Sequence, residues 1–382
     1  MNDPLRIAII TTDARYWLEG SDQESPNFGT AVRGLLQGFE ELHHVEIHVI
    51  SASPSQLTSP RMLGAHIHFH HVYVPRLGWG KTLFQGCVRA TRKLLDEIHP
   101  DIVHGQGTER DCAMSAVLSG YPNVVTIHGN MRVHAKLGEN RNSLYYKLAA
   151  QLEGFCLKRT DGVVAISRYT EDLVKDLAPR TWFLPNAVDR RFFDIELEPP
   201  QVPRILFVGS IDERKNPLGL IRACEPMLRA GECTIAMAGL GNPDHPYVSE
   251  VLKQAGEIPG IKMLGFIDRD ELGEEFRRSS LLVLPTFEDN CPMVVLEAMA
   301  AGLPVAASRV GGVPDLISHE IDGLMFDPHS SDDVRTCIEK LVREPETRTR
   351  LGNKARLTAL ERFHPKVIAQ AHLEIYHNLL GR

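Results

Sequence analysis

The feature that most constrains this chain is a repeated alternation. Short, unbroken apolar runs recur along it, each followed by a turn and an amphipathic, helix-like segment. In the first half the runs are RIAIIT (6–11), VEIHVIS (45–51), DIVHG (101–105), NVVTIHG (123–129) and GVVAIS (162–167). The second half repeats the pattern with RILFVGS (204–210), TIAMAG (234–239), IKMLGF (261–266), LLVLP (281–285) and PVAAS (304–308). Continuous Val, Ile and Leu runs of this kind are strands buried on both faces, as in a parallel sheet covered by helices on each side. Two such series in succession predict an α/β chain of two Rossmann-like, doubly wound domains, and the 382-residue length agrees.

The boundaries follow from where the alternation lapses. PNAVDRRFFDIELEPPQVP (185–203) is rich in proline and charge and lacks any period. We therefore expect an N-terminal domain over 1–186, a linker over 187–203 and a C-terminal domain over 204–364. The last helical segment, within 365–382, has no strand after it and is expected to pack back on the first domain. Open parallel sheets bind ligands beyond the carboxyl ends of their strands. The chemistry is thus expected in the post-strand loops, in a cleft where two such domains face each other.

Composition removes several function classes. The formal net charge is −7, with no basic excess to hold nucleic acid. Seven scattered cysteines without a CxxC pair suit a reducing compartment better than a disulfide framework or a zinc site. No apolar run reaches the length of a membrane span. MNDPLRIAIITTD enters the first strand without a basic flank, so no signal peptide is expected and the expected location is cytoplasmic.

The stretch after LLVLP is the richest in chemistry. It reads TFEDNCPMVVLEAMAAGLP, with Glu288, Asp289 and Asn290 in the loop and Glu297 inside the apolar run. Pro292 suits the first position of a helix and Gly302 its end. The helix N-terminus would offer N–H groups from Met293 and Val294 to an anion. A carboxylate facing a diphosphate would be repelled, so the acids are expected to accept hydrogen bonds from neutral hydroxyls beside it. A diphosphate flanked by vicinal diols describes a nucleotide sugar. The bland alternative makes Glu288 and Asp289 a solvated turn and Glu297 a structural acid.

This stretch resembles the signature of family 4 glycosyltransferases, retaining enzymes of the GT-B fold, in which two acids bracket seven residues and EAMA-x-G-x-P follows. Asp289 and Glu297 take the acidic positions, and the resemblance implies that the first holds hexose hydroxyls and the second ribose hydroxyls. Asp stands where Glu is usual, which leaves open whether Asp289 or Glu288 reaches the hexose. Gly311 and Gly312 match a further family pattern. After RILFVGS, Gly209 and Lys215 match a G-R-x4-K pattern whose Arg and Lys clamp the diphosphate. Ser210 replaces that Arg, and Arg214 is expected to supply the charge beside Lys215. The resemblance also covers a turn at Gly29, a strand-end His128 near the transferred sugar, and Gly265 and Phe266 where backbone meets the base. DGVVAIS (161–167) and LPNAVD (184–189) resemble the end of the acceptor domain.

Other patterns are set aside. Asp268-Arg269-Asp270 has a metal-binding spacing but reads as a helix cap with acids in the first turn. HIHFHH (66–71) places His66, His68 and His70 on one strand face, a zinc-compatible spacing. With no nearby acid or Cys to complete a site, a half-exposed strand is the simpler reading. GLGN (239–242) lacks the third glycine of a dinucleotide fingerprint. The segment 78–95 could lie on an anionic membrane surface, but a sheet-covering amphipathic helix with a basic edge explains it.

Taken together, the expectation is a metal-independent, retaining hexosyltransferase with a front-face mechanism, needing no cofactor beyond a nucleoside-diphosphate sugar, preferably UDP-linked. His128, Asp289, Arg214 and Lys215 are its expected catalytic residues, and its acceptor a glycan, a lipid-linked molecule or a small molecule. An epimerase or phosphorylase of the same fold, or a non-catalytic sugar-nucleotide binder, is the alternative.

Overall fold

The computed structural model describes residues 4–17, 24–136 and 143–382. The chain forms two compact units, one of residues 1–187 with 365–382, the other of residues 188–364. In the first, strands β1 (Leu5–Ile10), β2 (Val45–Ser53), β3 (Met62–Gly64), β4 (Ile67–Tyr73), β5 (Ile102–Gln106), β6 (Asn123–Ile127), β7 (Gly162–Ala165) and β8 (Thr181–Phe183) make one sheet. Its order is β3-β4-β2-β1-β5-β6-β7-β8, parallel except that β3 runs antiparallel to β4. Helices α1 (Thr30–Glu40), α2 (Gln85–Ile98), α3 (Asp111–Val117), α4 (Met131–His134), α5 (Leu144–Leu157) and α6 (Arg168–Val174) connect the strands.

Strand alternation divides the core into two layers. Ile7 and Ile9 of β1 pack with Leu35 and Phe39 of α1, while Ala8 and Ile10 pack with Val88 and Leu95 of α2 and Met114 of α3. The segment 78–95 has its apolar side in this packing. Trp79 is buried with its Nε1 donating to the Val74 carbonyl at 2.8 Å, and Arg89 and Lys93 are exposed. Among the described residues, no helix is long and apolar enough to cross a membrane, and all seven cysteines are buried free thiols.

The second unit holds β9 (Arg204–Val208), β10 (Thr234–Ala238), β11 (Ile261–Gly265), β12 (Leu281–Leu284), β13 (Val305–Ser308) and β14 (Leu324–Phe326). They pair in parallel in the order β11-β10-β9-β12-β13-β14. Around them lie α7 (Pro217–Arg229), α8 (Pro246–Glu257), α9 (Arg269–Arg277), α10 (Met293–Ala301), α11 (Val313–Leu316), α12 (Ser331–Arg343) and α13 (Pro345–Arg362). The expected linker 187–203 is different: residues 188–203 belong to this unit. Phe192 and Phe193 are buried there, and Phe192 meets Phe276 of α9 edge to face. An apolar pair hidden in charged, proline-rich composition gives no periodic signal, yet it is enough to anchor the segment.

The last helix, α14 (Pro365–Leu380), belongs to the first unit and packs on α1. Gly38 permits the approach, since a Cβ there would lie 2.1 Å from the Pro365 carbonyl oxygen. Tyr376 then reaches into the sheet, where its hydroxyl meets His104 Nδ1 at 2.6 Å, and His104 Nε2 meets Thr126 Oγ1 at 2.7 Å. His372 lies beside them, its ring 5.4 Å from that of His104. Burial holds His104 well below the ordinary imidazole range and His372 down at about 4.

These imidazoles protonate more readily in the unfolded chain than in the folded one, so the stability they contribute is present above pH 6.5 and is lost as pH falls towards 4. For His372 alone the full difference is roughly 3 kcal/mol. The melting temperature should drop across that window, and His372→Asn should flatten the drop. An unchanged slope in that variant would exclude His372 as a cause. Tyr376→Phe, which deprives His104 of its shortest contact, should lose about 1–3 kcal/mol in denaturant unfolding.

Candidate functional site

The strand order of the second sheet decides where its loops emerge. The chain builds outward from β9 through β10 to β11, then returns to the other side of β9 with β12, β13 and β14. The loops leaving the carboxyl ends of β9 and β12 therefore lie side by side at the point where the order reverses, the usual ligand position in open α/β sheets. Those loops, 209–216 and 285–292, carry Ser210, Arg214, Lys215, Glu288, Asp289 and Asn290.

The two loops are bonded to each other. Phe287 N donates to the Arg214 carbonyl at 2.7 Å, and Thr286 Oγ1 donates to it at 3.0 Å. In return, Arg214 Nη1 donates to the Glu288 carbonyl at 3.0 Å and lies 4.0 Å from its carboxylate. Lys215 Nζ forms an ion pair with Asp289 Oδ2, and both side chains are mostly buried, at 14% and 13% exposure. Such a pair is screened far less by solvent than a surface one. Asp212 shapes the first loop by accepting from Lys215 N at 2.8 Å and from the Ser210 hydroxyl at 2.5 Å. Ser210 is thus turned towards its own loop.

The glycines of RVGGVP, after β13, hold the acidic loop in place. Gly311 has φ +54°, and a Cβ there would lie 1.9 Å from the Asp289 carbonyl oxygen. Gly312 N donates to that same oxygen at 3.1 Å. Directly after the acidic loop, α10 begins at Met293, one residue later than expected. Pro292 has a helical φ but an extended ψ of 107°, so it caps the helix, and its carbonyl accepts from Val295 N at 3.0 Å. Met293 and Val294 fall in the first turn, where N–H groups have no intrahelical acceptor. Gly302 ends the helix with φ +75°, as its position in the sequence suggests.

Glu297 is buried inside α10 and ion-paired, with Arg269 Nη2 at 3.0 Å from its Oε1. Arg269 also sits over the Phe192 ring, 4.9 Å from its centroid, and 4.0 Å from Asp189 Oδ2. Burial pushes the Glu297 carboxyl up from its ordinary range, with Arg269 opposing it. Sequence reasoning missed Arg269, which lies within the Asp268-Arg269-Asp270 segment. There Asp268 caps α9 in a full capping box with Glu271, and Asp270 pairs with Arg191. The available signal was physical: a carboxylate inside an apolar run needs a cation partner.

The remaining residues divide between the units. Gly265 ends β11 with φ +70°, its carbonyl accepts from Gly239 N at 2.8 Å, and Phe266 after it is 75% exposed. His128, after β6 in the first unit, has Nε2 2.8 Å from Gln106 Oε1 at the end of β5. Desolvation by the surrounding protein holds its imidazole down at about 4, so it is neutral near pH 7. Gly29 caps α1, and a Cβ there would meet nothing within 4 Å. Residues 18–23 of the loop leading to it lie outside the described residues. The second unit therefore brings together Arg214, Lys215, Glu288 and Asp289 at one strand-order reversal, while His128 and Gly29 belong to the first unit.

Gly311→Ala should force the acidic loop away from its glycine support and lower the melting temperature by several degrees, since both the contact and the positive φ oppose a side chain. Gly256→Ala, in α8 with open space around it, is the control and should be neutral or slightly stabilising. Equal melting temperatures for the two variants would refute the clamp.

Residues 188–358 match the family described as glycosyl transferases group 1, and residues 29–192 match glycosyltransferase family 4. An uncharacterised glycosyltransferase of Methanocaldococcus jannaschii is 30% identical over 181 residues, covering 47% of this chain and 46% of that protein. The sulfoquinovosyl transferase SQD2 of Arabidopsis thaliana is 33% identical over 160 residues, 41% of this chain and 30% of that protein. The matches span about half the length of these curated relatives or less. Among solved structures, sucrose-phosphate synthase from Thermosynechococcus elongatus superposes with a TM-score of 0.75 at 19% identity, covering 98% of this chain and 99% of that one. Anabaena HepE in complex with UDP and glucose gives 0.69 at 16% identity, covering 97% and 99%. The two α/β units have the GT-B type of fold, and between them residues 29–358 match two glycosyltransferase family models.

Proposed function

We propose that this protein is a retaining, metal-independent glycosyltransferase that moves a hexosyl group from a nucleoside-diphosphate sugar to an acceptor hydroxyl. The second unit binds the donor and the first the acceptor, which is a glycan, a lipid-linked molecule or a small molecule. The observation that carries this reading is the Lys215–Asp289 pair, braced by Arg214, at the strand-order reversal of the second sheet. A UDP-sugar is the favoured donor, because Anabaena HepE, which has the same fold, has been solved with UDP-glucose. Seven buried free thiols are consistent with a cytosolic setting.

In this reading, the donor diphosphate replaces Asp289 as the partner of Lys215. The Lys215 ammonium, Arg214 and the first-turn N–H groups of α10 then stabilise the charge that develops on the departing phosphate. Arg214 supplies the cation that Ser210 lacks. The carboxylate released from Lys215, on Asp289, accepts hexose hydroxyls, with Glu288 and Asn290 beside it. Glu297 has its Oε1 taken by Arg269 and offers Oε2 to the ribose. Gly265 and Phe266 of the second unit meet the base. The C1–O bond to the acceptor forms on the face from which the diphosphate leaves, and the acceptor proton passes to the leaving phosphate.

A thermal-shift screen of UDP-, GDP- and ADP-sugars tests the donor. A bound donor at a hundred times its Kd adds about 2.7 kcal/mol of stability, and the shift should appear with a UDP-sugar. Lys215→Ala should abolish both that shift and slow donor hydrolysis. A variant that still hydrolyses the donor at the parent rate would refute the role of Lys215. Arg214→Ala should weaken donor affinity about tenfold, equivalent to roughly 1.4 kcal/mol; unchanged affinity and turnover would show that it does not replace the missing charge. Product NMR should show the anomeric configuration of the donor, and an inverted product would overturn the retaining assignment.

A further inference from the structure

The first unit contains a second constellation of functional groups. The expectation that His66, His68 and His70 share one strand face, with no acid to complete them, is corrected in the structure. His66 precedes β4, and its Nε2 instead meets the Phe39 carbonyl at 2.9 Å. The neighbouring strand supplies what the segment lacks: β2 pairs with β4 in parallel, with His48 directly opposite His68. Glu46 stands two residues before His48, on the same face.

We propose that Glu46, His48 and His68 form a binding site for a divalent transition-metal ion, zinc by its ligand set. The three ligand atoms lie within 4.8 Å of one another. Glu46 Oε1 is 3.1 Å from His48 Nε2 and 3.6 Å from His68 Nε2. Tetrahedral zinc, with bonds of about 2.0–2.2 Å, places its ligand atoms roughly 3.3–3.6 Å apart. The His48 and His68 rings lie 9° from parallel with centroids 4.7 Å apart, so the remaining edge closes only when the partly exposed His68 ring turns towards the other two ligands. Glu46 and His48 share a proton at 3.1 Å, whereas the 3.6 Å Glu46–His68 contact is too long for a hydrogen bond, so an ion would take the place of the His48 Nε2 proton and draw in His68.

The surrounding groups orient two of the three ligands, His48 and Glu46. His48 Nδ1 lies 3.0 Å from His70 Nε2. Once an ion displaces the proton that His48 Nε2 shares with Glu46, the ring proton on Nδ1 is donated to His70, as the outer partners of metal-bound histidines commonly accept it. Arg6 Nε donates to Glu46 Oε2 at 3.0 Å, and its Nη1 is held by the Ile98 carbonyl at 2.9 Å. Arg6 thus occupies one carboxylate oxygen and leaves Oε1 turned to the imidazoles. His68 and His70 also line an open depression of about 710 Å³, which gives solvent and ions access. Three protein ligands leave a fourth position for water. Glu46 and His48 lie in the amino-terminal half of β2, away from the carboxyl-end loops, so the ion would clamp β4 to β2 and take no part in sugar transfer.

The test uses the full chain, stripped with a chelator, desalted, and titrated with Zn²⁺ by calorimetry and with Co²⁺ by visible absorption. One equivalent should bind, Zn²⁺ should raise the melting temperature, and Co²⁺ should give the intense d–d bands of a tetrahedral site. His68→Ala, at a partly exposed position, should keep the melting temperature of the stripped parent, weaken Zn²⁺ at least a hundredfold and lose the Co²⁺ bands. Glu46→Gln, which preserves side-chain size, should weaken Zn²⁺ as well. The absence of stoichiometric binding, or parent-like affinity in His68→Ala, would overturn the site. The donor-induced thermal shift should be the same in His68→Ala and the parent, which separates this proposal from the one on the second unit.

Discussion

Two loops, one after β9 and one after β12, are joined through the Arg214 carbonyl, which accepts from both Phe287 N and Thr286 Oγ1. The candidate donor site depends on this contact. It follows from strand order alone, since only neighbouring strands can place their carboxyl-end loops within backbone reach. Once the loops touch, the charged residues have little choice of partner. Arg214 turns back to the Glu288 carbonyl, Lys215 meets Asp289, and the glycines after β13 close on the Asp289 carbonyl from the other side. The side chains of the candidate site are thus positioned largely by bonds to main-chain carbonyls.

Burial then determines how the acids behave. Glu297 sits among apolar residues of α10, where an unpaired carboxylate would be strongly disfavoured, and Arg269 arrives from a different helix to meet it. Its guanidinium is steadied by Phe192 and approaches Asp189, so residues 188–203 contribute to the same local network. Elsewhere the same rule holds. Asp13 is paired with Arg15 in the first unit, and Glu153 accepts from Thr108 Oγ1 and the backbone N–H groups of Met131 and Arg132.

Much of this was legible before any coordinates. The apolar runs located ten of the strands, because a strand buried on both faces leaves an unbroken signature. Of the other four, β4 is legible as a half-exposed strand from HIHFHH, whereas β3, β8 and β14 are not, since three residues each carry too little pattern. Lys215, Glu288 and Asp289 were recognisable from their positions after strands. Their pairing was not, because it joins loops 74 residues apart in sequence. Arg269 was overlooked because two flanking acids made a complete local explanation as a helix cap. The histidines of β4 looked incomplete for a related reason: strand register, which brings Glu46 and His48 beside them, is a non-local property.

The return of α14 to the first unit has a consequence for how the protein comes into being. Two stretches far apart in the chain make up that unit, and the later one brings Leu373 and Tyr376 into a core that the earlier one leaves open. During synthesis the second unit is translated in full before that core can close. An N-terminal half therefore emerges from the ribosome, still tethered, with its apolar layer around α1 awaiting the final helix, a period in which chaperones have an obvious surface to cover.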